Sequence, residues 1–595
     1  MWRFGPASFL ILLTCTMLQA DVPQDPGDYP EPSDVPQVLP SAVRHKTAMV
    51  AAAHPLAARI GTEVLQAGGN AIDATVAVQM ALGVVEPQSS GIGGGCFIVY
   101  YDAKSKKTHC FDGREETPAA ARREAFLDRE GKVVKDALTG CRAAGVPGTV
   151  AGMYMAHQKF GKLPWKQVIE PAIKLAEGGI GVTPRLREAI GANRSRFLRI
   201  PSSKAQYLNS DSSLPEIGTV LRFADMARTL RRIAEQGPAG FYEGETADLI
   251  VKAVQSCPIA AGSISHEDLK NYRAVERDPI SFHYREHVLV GMPPPSSGTI
   301  TLGIILYCLE HIAPQERLPG TLKGIDTWAR AECVAFADRN AYLGDQDWQT
   351  NYHMKYLLAP SRLGQRRLAA AGLTPGQRAK PGELFNLQPG ASSGNPTEGN
   401  NTTHFSIVDG ERNVVACTTT IEHGMGCGVV VPGGGFLLNN ELTDFDLDKS
   451  DAPNSLDASR RTVRDRLAGK RPRSSMTPII VFKDERPVMT VGSPGGPLII
   501  SIVGQAIINV LDHQMDMQQA INAGRYTCRN GKLEVDGMFK NRVQLAKQLE
   551  GRGWKVPELR AGNTVWGGAP GIRLLPDGTL EGGADPRREG VVRGY

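Results

Sequence analysis

Hydrophobic residues recur at two different spacings along the chain, and the spacing changes near residue 402. Before that point, an apolar stripe at helical spacing follows Pro55 and ends at Gly68, which predicts a first helix. A more continuously apolar segment predicts a second, buried helix over residues 71–84. Helical patterns also dominate residues 147–370. The first two thirds of the chain are therefore predicted to be mainly helical.

Beyond residue 402 the pattern is typical of short strands. Residues 404–409 and 414–420 are rich in β-branched residues on either side of a turn at Gly410, which predicts a hairpin. The other elements predicted here are strands at 436–438, 479–482 and 488–491 and an apolar helix at 498–511. The predicted elements occur as helices, then strands, then helices. This order favours layered α/β packing over alternating βαβ units.

Composition and charge indicate a globular protein. The chain has 595 residues, of which 41% are hydrophobic, so a large core can form. The net charge of +5 arises from 67 basic and 62 acidic residues and gives no nucleic-acid-binding signature. The ten cysteines include no Cys-x-x-Cys pair, so no metal site and no dense disulfide framework are predicted. Most are expected to be buried thiols, although an oxidising compartment permits a few disulfides.

The first twenty residues resemble a secretory signal peptide. Arg3 gives a positive start, an apolar run extends to Leu18, and Ala20 offers a small residue for cleavage. The run is short for a membrane span, which needs roughly 20 residues, and an uncleaved anchor is the alternative. We predict a signal peptide at 1–20, a disordered leader at 21–42 and a secreted or periplasmic protein without a stable membrane span.

The strongest candidate for chemistry is the junction between a polar linker and a strand. Residues 374–401 are rich in Gly, Pro and polar residues, which suits an exposed, cleavable segment. A Thr whose backbone nitrogen becomes a free amine after cleavage supplies both a nucleophile and a base, because an α-amine titrates near ~8. We predict cleavage between Asn401 and Thr402, with Thr402 as the nucleophile. The alternative is an ordinary pair of strand threonines.

Longer motifs in both halves of the chain resemble those of the γ-glutamyltranspeptidase family. In the first half these are Gly68-Gly69-Asn70-Ala71-Ile72-Asp73-Ala74, Glu86-Pro87-Gln88-Ser89-Ser90-Gly91, Arg114 and Gly145-Val146-Pro147-Gly148-Thr149-Val150. In the second half they are Asn401-Thr402-Thr403-His404-Phe405-Ser406, Thr418-Thr419-Thr420-Ile421-Glu422, Leu438-Asn439-Asn440-Glu441-Leu442-Thr443-Asp444-Phe445, Lys470-Arg471-Pro472-Arg473-Ser474-Ser475-Met476-Thr477-Pro478 and Gly492-Ser493-Pro494-Gly495-Gly496. They occur in the family's order, and the likeness extends from about Val43 to Tyr595.

The resemblance implies an α+β fold, the four-layer αββα sandwich of N-terminal-nucleophile hydrolases, made as one proenzyme. Thr402 would attack the carbonyl of Asn401 and divide the chain into a large subunit, 43–401, and a small catalytic subunit, 402–595. The two would remain together as a heterodimer in one αββα unit. The implied partners are glutathione and related γ-glutamyl compounds, with water, amino acids or dipeptides as acceptors, and no cofactor or metal is implied.

The resemblance also implies a role for each site residue. Thr420 would orient Thr402, and the backbone N–H groups of Gly495 and Gly496 would stabilise the oxyanion. The α-carboxylate of the substrate would be held by Arg114, Ser474 and Ser475. The α-amine would be held by Asp444, Glu422 and Glu441. His404 and Thr403 are expected to be structural.

Two departures from the family pattern leave alternatives open. Glu422 stands where better-known members have Asn, and its carboxylate should favour substrates with an α-amine. Residues 446–469 are long enough for a lid but contain no Tyr to act as the usual gate. One alternative is an acylase for glutaryl-type β-lactam side chains on the same fold. The other is a secreted binding protein or toxin that has lost turnover.

Overall fold

The computed structural model describes residues 40–345, 354–384, 399, 401–448, 452–456, 469–539, 541–557 and 566–595. The predicted signal peptide, most of the predicted leader, Asn400 and much of the predicted lid segment lie outside these ranges. Among the helices that the structure describes, none combines the length and the apolar composition required to cross a bilayer.

Two antiparallel sheets of seven strands each form the centre of the structure. In chain order the strands are β1 Val43–His45, β2 Met49–Ala52, β3 Gly95–Asp102, β4 Lys107–Gly113, β5 Ile180–Gly181, β6 Val220–Leu221, β7 Val275–Arg277, β8 Ile280–Tyr284, β9 His287–Gly291, β10 Thr402–Val408, β11 Val414–Thr420, β12 Ile479–Lys483, β13 Arg486–Val491, β14 Tyr526–Arg529, β15 Lys532–Val535, β16 Gly571–Leu574, β17 Leu580–Gly583 and β18 Val591–Gly594. One sheet has the order β1-β17-β16-β13-β12-β9-β8, and the other has the order β18-β2-β10-β11-β3-β4-β7. β5 pairs with β6 and β14 with β15 in two small separate sheets.

Helices cover the outer face of each sheet. The helices are Pro55–Gln66, Ala71–Val85, Thr149–Phe160, Trp165–Gly178, Pro184–Ala192, Arg194–Phe197, Pro201–Tyr207, Ala224–Gln236, Ala239–Tyr242, Gly244–Gln255, His266–Asn271, Gly298–Glu310, Leu322–Tyr342, Met354–Leu357, Pro360–Ala371, Leu498–Leu511, Met517–Asn522 and Arg542–Glu550. Helix Ala71–Val85 packs on β10 and β11, whereas helix Gly298–Glu310 packs on β8 of the other sheet. The two sheets contact each other through β10 and β11 on one side and β13 and β16 on the other. These four layers confirm the predicted α+β sandwich.

Helix Ala71–Val85 is fixed directly to the strand that begins with Thr402. The Asn70 side chain caps its first turn, and the Asp409 carboxylate, just beyond β10, accepts the N–H of Ala71 at 2.9 Å. The helix is apolar around almost its whole circumference and nearly all of it is buried. The helix and the strand therefore pack as one rigid unit.

The predicted hairpin is present, whereas the strand predicted at 436–438 is not. β10 and β11 pair antiparallel, with Thr402 opposite Thr420. The segment 436–438 is not a strand, and Leu437 makes only an isolated bridge to Val430. Gly433 and Gly435 before it adopt positive φ angles of 75°, which turn the chain out of an extended course.

The helical prediction for residues 147–370 also missed five strands. The short pair β5 and β6 and the strands β7, β8 and β9 lie within this range. β9 pairs with β12, which lies far away in the sequence, so long-range pairing decides the conformation of this apolar segment.

His404 lies between the two sheets. Its Nδ1 is 2.8 Å from Thr418 Oγ1, its Nε2 is 3.2 Å from Ser406 Oγ, and burial lowers its pKa to about 3. Gly492, immediately after β13, faces the ring so closely that an added Cβ would lie 2.3 Å from His404 Cε1. The imidazole is therefore a neutral packing element, in agreement with the structural role expected for it.

We expect Gly492→Ala to destabilise the protein. The new methyl group would push His404 against both sheets, and such overpacking typically costs about 1–3 kcal/mol of unfolding free energy. Gly364→Ala is the matched control, because no atom lies within 4 Å of its added Cβ, and Ala in a helix stabilises by about 0.5–1 kcal/mol. Calorimetric melting at one scan rate should show a lower midpoint for the first variant only; equal midpoints would contradict the packing argument.

Candidate active site

Thr402 is the first residue of β10, in the sheet that also contains β11 and β3. It is 4% exposed, and its carbonyl oxygen accepts a hydrogen bond from Arg588 Nη1 at 2.6 Å. Antiparallel pairing places Thr420, the last residue of β11, directly opposite. The predicted nucleophile therefore begins a paired strand, and its main chain is fixed by Arg588 and by the pairing with β11.

The Thr420 hydroxyl connects the Thr402 side chain to the predicted cleavage site. Its Oγ1 lies 3.3 Å from Thr402 Oγ1 and donates to the carbonyl oxygen of Asn401 at 3.0 Å. Thr420 Oγ1 also accepts the N–H of Glu422 at 2.8 Å, which fixes the orientation of the hydroxyl. Sequence reasoning placed Thr420 beside Thr402, but it did not anticipate the bond to the Asn401 carbonyl. This carbonyl is consequently polarised by a hydroxyl donor.

Gly495 and Gly496 lie just before helix Leu498–Leu511. Their φ angles are 129° and 53°, a region in which a side chain would be strained. Gly496 lines the same cavity as Thr402. Pro497 has φ −61° and ψ −21° at the start of the helix, so its ring suits this turn.

Arg114 is a buried cation of the site. It is 1% exposed, its Nη2 donates to Asp444 Oδ2 at 2.6 Å, and its Nη1 forms an ion pair with Glu441. Its Nε donates to the carbonyl of Pro472 at 3.2 Å. The residues predicted for the two ends of a zwitterionic head group are thus brought into direct contact.

The carboxyl groups of Glu422 and Glu441 are buried near that of Asp444. Thr443 Oγ1 lies 2.8 and 2.7 Å from the two carboxylate oxygens of Glu422. Burial raises the pKa of Glu422 well above its usual range, and the nearby Asp444 raises it further. Burial likewise raises the pKa of Glu441, although Arg114 opposes the shift. Protonation of a carboxylate, or binding of a cation, would reduce the electrostatic repulsion among these acids.

Two further charged residues of the site were missed from sequence. Glu115 is fully buried, its Oε2 lies 3.7 Å from Arg114 Nη1, and burial raises its pKa to about 7. Arg339, on helix Leu322–Tyr342, donates from Nη2 to Ser475 Oγ at 2.6 Å. Glu115 directly follows Arg114 in the sequence, and this position could have indicated that it belongs to the site. Nothing in the helical pattern around Arg339 indicated that it would reach Ser475.

These side chains converge on one small cavity of ≈ 20 Å³, which is about the space of a single water molecule. Its lining is formed by Arg114, Gly399, Thr402, Thr420, Glu422, Glu441, Asp444, Ser474, Ser475, Met476, Gly496 and Ile499. A Cβ added to Gly399 would lie 2.7 Å from Glu422 Cγ. Gly399, two residues before Asn401, therefore packs against the cavity.

The raised pKa of Glu115 predicts a pH dependence of stability. Between its ordinary value of 4.5 and about 7, the folded protein retains a proton that the unfolded chain releases. The free energy of unfolding therefore falls as pH rises through this window. Glu115→Gln should reduce the fall between pH 5 and 7.5 by about 1–3 kcal/mol, because one pKa unit corresponds to about 1.4 kcal/mol.

The measurement is chemical or thermal unfolding of both proteins at each pH. Glu124→Gln is the control, because its side chain is 74% exposed and should leave the pH profile unchanged. Parallel profiles for wild type and Glu115→Gln would contradict the assignment.

Comparisons with known proteins identify the family of the chain. The sequence model of the Gamma-glutamyltranspeptidase family matches residues 57–595. The chain is 37% identical to the Glutathione hydrolase proenzyme of Escherichia coli (98% of this chain, 97% of the relative) and to that of Bacillus subtilis (92% of each). The crystal structure of cephalosporin acylase from Bacillus halodurans superposes with a TM-score of 0.79 at 29% identity, covering 96% of this chain and 99% of that one. The chain therefore belongs to the gamma-glutamyltranspeptidase family.

Proposed function

We propose that the protein is a self-processing γ-glutamyl hydrolase and transferase acting on glutathione and related γ-glutamyl compounds. The observation that carries the proposal is the convergence of Thr402, Thr420 and the Arg114–Asp444 pair on one cavity. A threonine hydroxyl lies there beside groups of both charges, as a zwitterionic γ-glutamyl head requires. Two relatives that match over nearly their whole length are named glutathione hydrolase proenzymes, which supports this choice.

Self-processing follows from the contacts around the Asn401 carbonyl. Thr402 Oγ attacks this carbon while the Thr420 hydroxyl, 3.0 Å from the carbonyl oxygen, stabilises the developing negative charge. The Thr402 hydroxyl proton passes to the backbone nitrogen, which leaves as an amine, and Asn401 becomes an ester on Thr402. Water then hydrolyses the ester and releases a large subunit, 43–401, and a small subunit, 402–595, which remain associated as a heterodimer.

Turnover uses the amine that processing creates. The free α-amine of Thr402 accepts the Oγ proton as the oxygen attacks the γ-glutamyl carbonyl. The backbone N–H groups of Gly495 and Gly496 receive the oxyanion, and the leaving amine departs with the proton. Water or the amine of an amino acid or dipeptide then attacks the γ-glutamyl ester and regenerates Thr402.

The charged residues select the head group. Arg114, Ser474 and Ser475 bind the α-carboxylate, and Arg339 orients the Ser475 hydroxyl. Asp444, with Glu422 and Glu441, binds the α-ammonium. Burial and the neighbouring carboxylates both raise the pKa of these glutamates, and an incoming cation offsets the repulsion among the carboxylates that are ionised. An acyl group without an amine leaves that repulsion in place.

The N-terminal segment 1–20 is proposed to direct export. Its charge, apolar run and small residue at position 20 have the features of a signal peptide, so we place the enzyme outside the cytoplasm.

We expect Thr402→Ala to abolish both processing and turnover, whereas Thr402→Ser retains a hydroxyl and processes. Thr420→Ala should slow processing by about 10²–10³-fold, because the Asn401 carbonyl loses its hydroxyl donor. Thr420→Ser is the matched control. N-terminal sequencing of the small fragment should read Thr402-Thr403-His404-Phe405 in wild type. A Thr402→Ala protein that still matured and still hydrolysed a γ-glutamyl anilide would disprove the mechanism.

Substrate preference separates this proposal from an acylase for glutaryl side chains. We expect kcat/KM for a γ-glutamyl anilide to exceed that for the glutaryl anilide by at least about 10²-fold, because the glutaryl group lacks the amine that the acids pair with. Glu422→Gln should lower γ-glutamyl turnover and leave glutaryl turnover nearly unchanged, so the ratio falls. Glu124→Gln serves as the exposed control.

Each other result of this comparison has a defined meaning. Preference for the glutaryl anilide would favour the acylase. A protein that neither processes nor turns over either anilide would favour the non-catalytic alternative.

A further inference from the structure

Two buried cysteines from opposite sides of the cleavage site lie against each other. Cys333 is on helix Leu322–Tyr342 and Cys528 is on β14, and their Sγ atoms are 2.9 Å apart. Cys333 precedes residue 401 and Cys528 follows it. One sulfur therefore belongs to the large subunit and the other to the small subunit of the processed protein.

The surroundings hold these two sulfurs in place. The carboxylate of Glu332, next to Cys333, accepts the N–H of Cys528 at 2.8 Å and the hydroxyl of Thr527 at 2.5 Å. Trp328 Nε1 donates to the same carboxylate at 2.9 Å, one helical turn away. These hydrogen bonds join helix Leu322–Tyr342 to β14 next to the two thiols. A shift of about 1 Å would bring the sulfur atoms to the ≈ 2.05 Å of a disulfide bond.

We propose that Cys333 and Cys528 form a disulfide that covalently joins the large and small subunits. The link between subunits rests on the proposed processing, whereas the pairing of the two cysteines does not. In the bond-forming step, both thiols lose their protons, one S–S bond forms, and two electrons pass to a protein or low-molecular-weight disulfide in the exporting compartment. That oxidant is reduced to two thiols.

The bond changes how the fragments stay together. Without it, the heterodimer depends on non-covalent contacts, and its stability depends on concentration. With it, each fragment remains at high effective concentration next to the other. Because Cys333 is 3% exposed and Cys528 is fully buried, the bond would be protected from reductants once the protein has folded.

A second group of thiols must be distinguished in the test. The backbone N–H of Cys141 donates to Cys257 Sγ at 3.2 Å, and the Cys141 thiol also contacts that of Cys427. A bond between Cys141 and Cys427 would also join the subunits. Gel mobility alone therefore cannot identify the pair, and a peptide map is required.

The experiment uses the full-length chain exported to a bacterial periplasm, with free thiols blocked by N-ethylmaleimide at lysis. Denaturing gels with and without reductant are combined with mass spectrometry of unreduced proteolytic peptides. We expect one band without reductant, two bands with it, and a linked peptide pair containing Cys333 and Cys528. N-ethylmaleimide on both residues, or a linked pair that excludes either of them, would overturn the proposal.

Variants provide an independent arm. Cys333→Ser and Cys528→Ser should each process normally and yield two bands without reductant, whereas Cys308→Ser, also buried, should behave as wild type. If the wild-type chain is not cleaved, every lane shows one band and the proposed processing fails. The peptide map still decides the disulfide in that case. If a serine variant does not fold, the wild-type map again gives the answer.

Discussion

The antiparallel pairing of β10 with β11 is the constraint on which the rest of the site depends. It places Thr402 opposite Thr420 and brings a hydroxyl donor to the Asn401 carbonyl. Helix Ala71–Val85 packs on one face of these two strands and the second sheet packs on the other, so both faces are buried and the register is strongly specified. A slip of one residue would turn Thr402 to the opposite face of the sheet.

Electrostatics supplies a second organising feature. Arg114 is surrounded by Glu115, Glu441 and Asp444, and Glu422 lies next to Asp444, so acids outnumber this cation in a buried volume. A cluster of this kind is costly to bury unless protons or ligands balance it. The protein keeps the imbalance at the position where an ammonium group is expected to bind. On the proposed function, binding energy for the substrate head is therefore prepared during folding.

Local patterns predicted the elements that carry the site better than they predicted its surroundings. The hairpin at 402–420 and the helix at 498–511 have strong β-branched or apolar patterns, and both are present. The Arg114, Glu441 and Asp444 cluster followed from motif resemblance, because these residues are distant in sequence. Arg339 and the strand β9 were missed since each is defined by contacts with remote segments. No local pattern encodes such contacts.

The packing of Gly399 against Glu422 bears on when activity begins relative to folding and cleavage. In the uncut chain, Gly399 lines the cavity that we assign to the γ-glutamyl group, and the remaining space is that of about one water molecule. On the proposed function, this part of the precursor main chain would block entry of the substrate. Folding would build the site, and cutting would both create the free amine of Thr402 and release the chain end that carries Gly399. Activity would therefore begin only after the protein has folded.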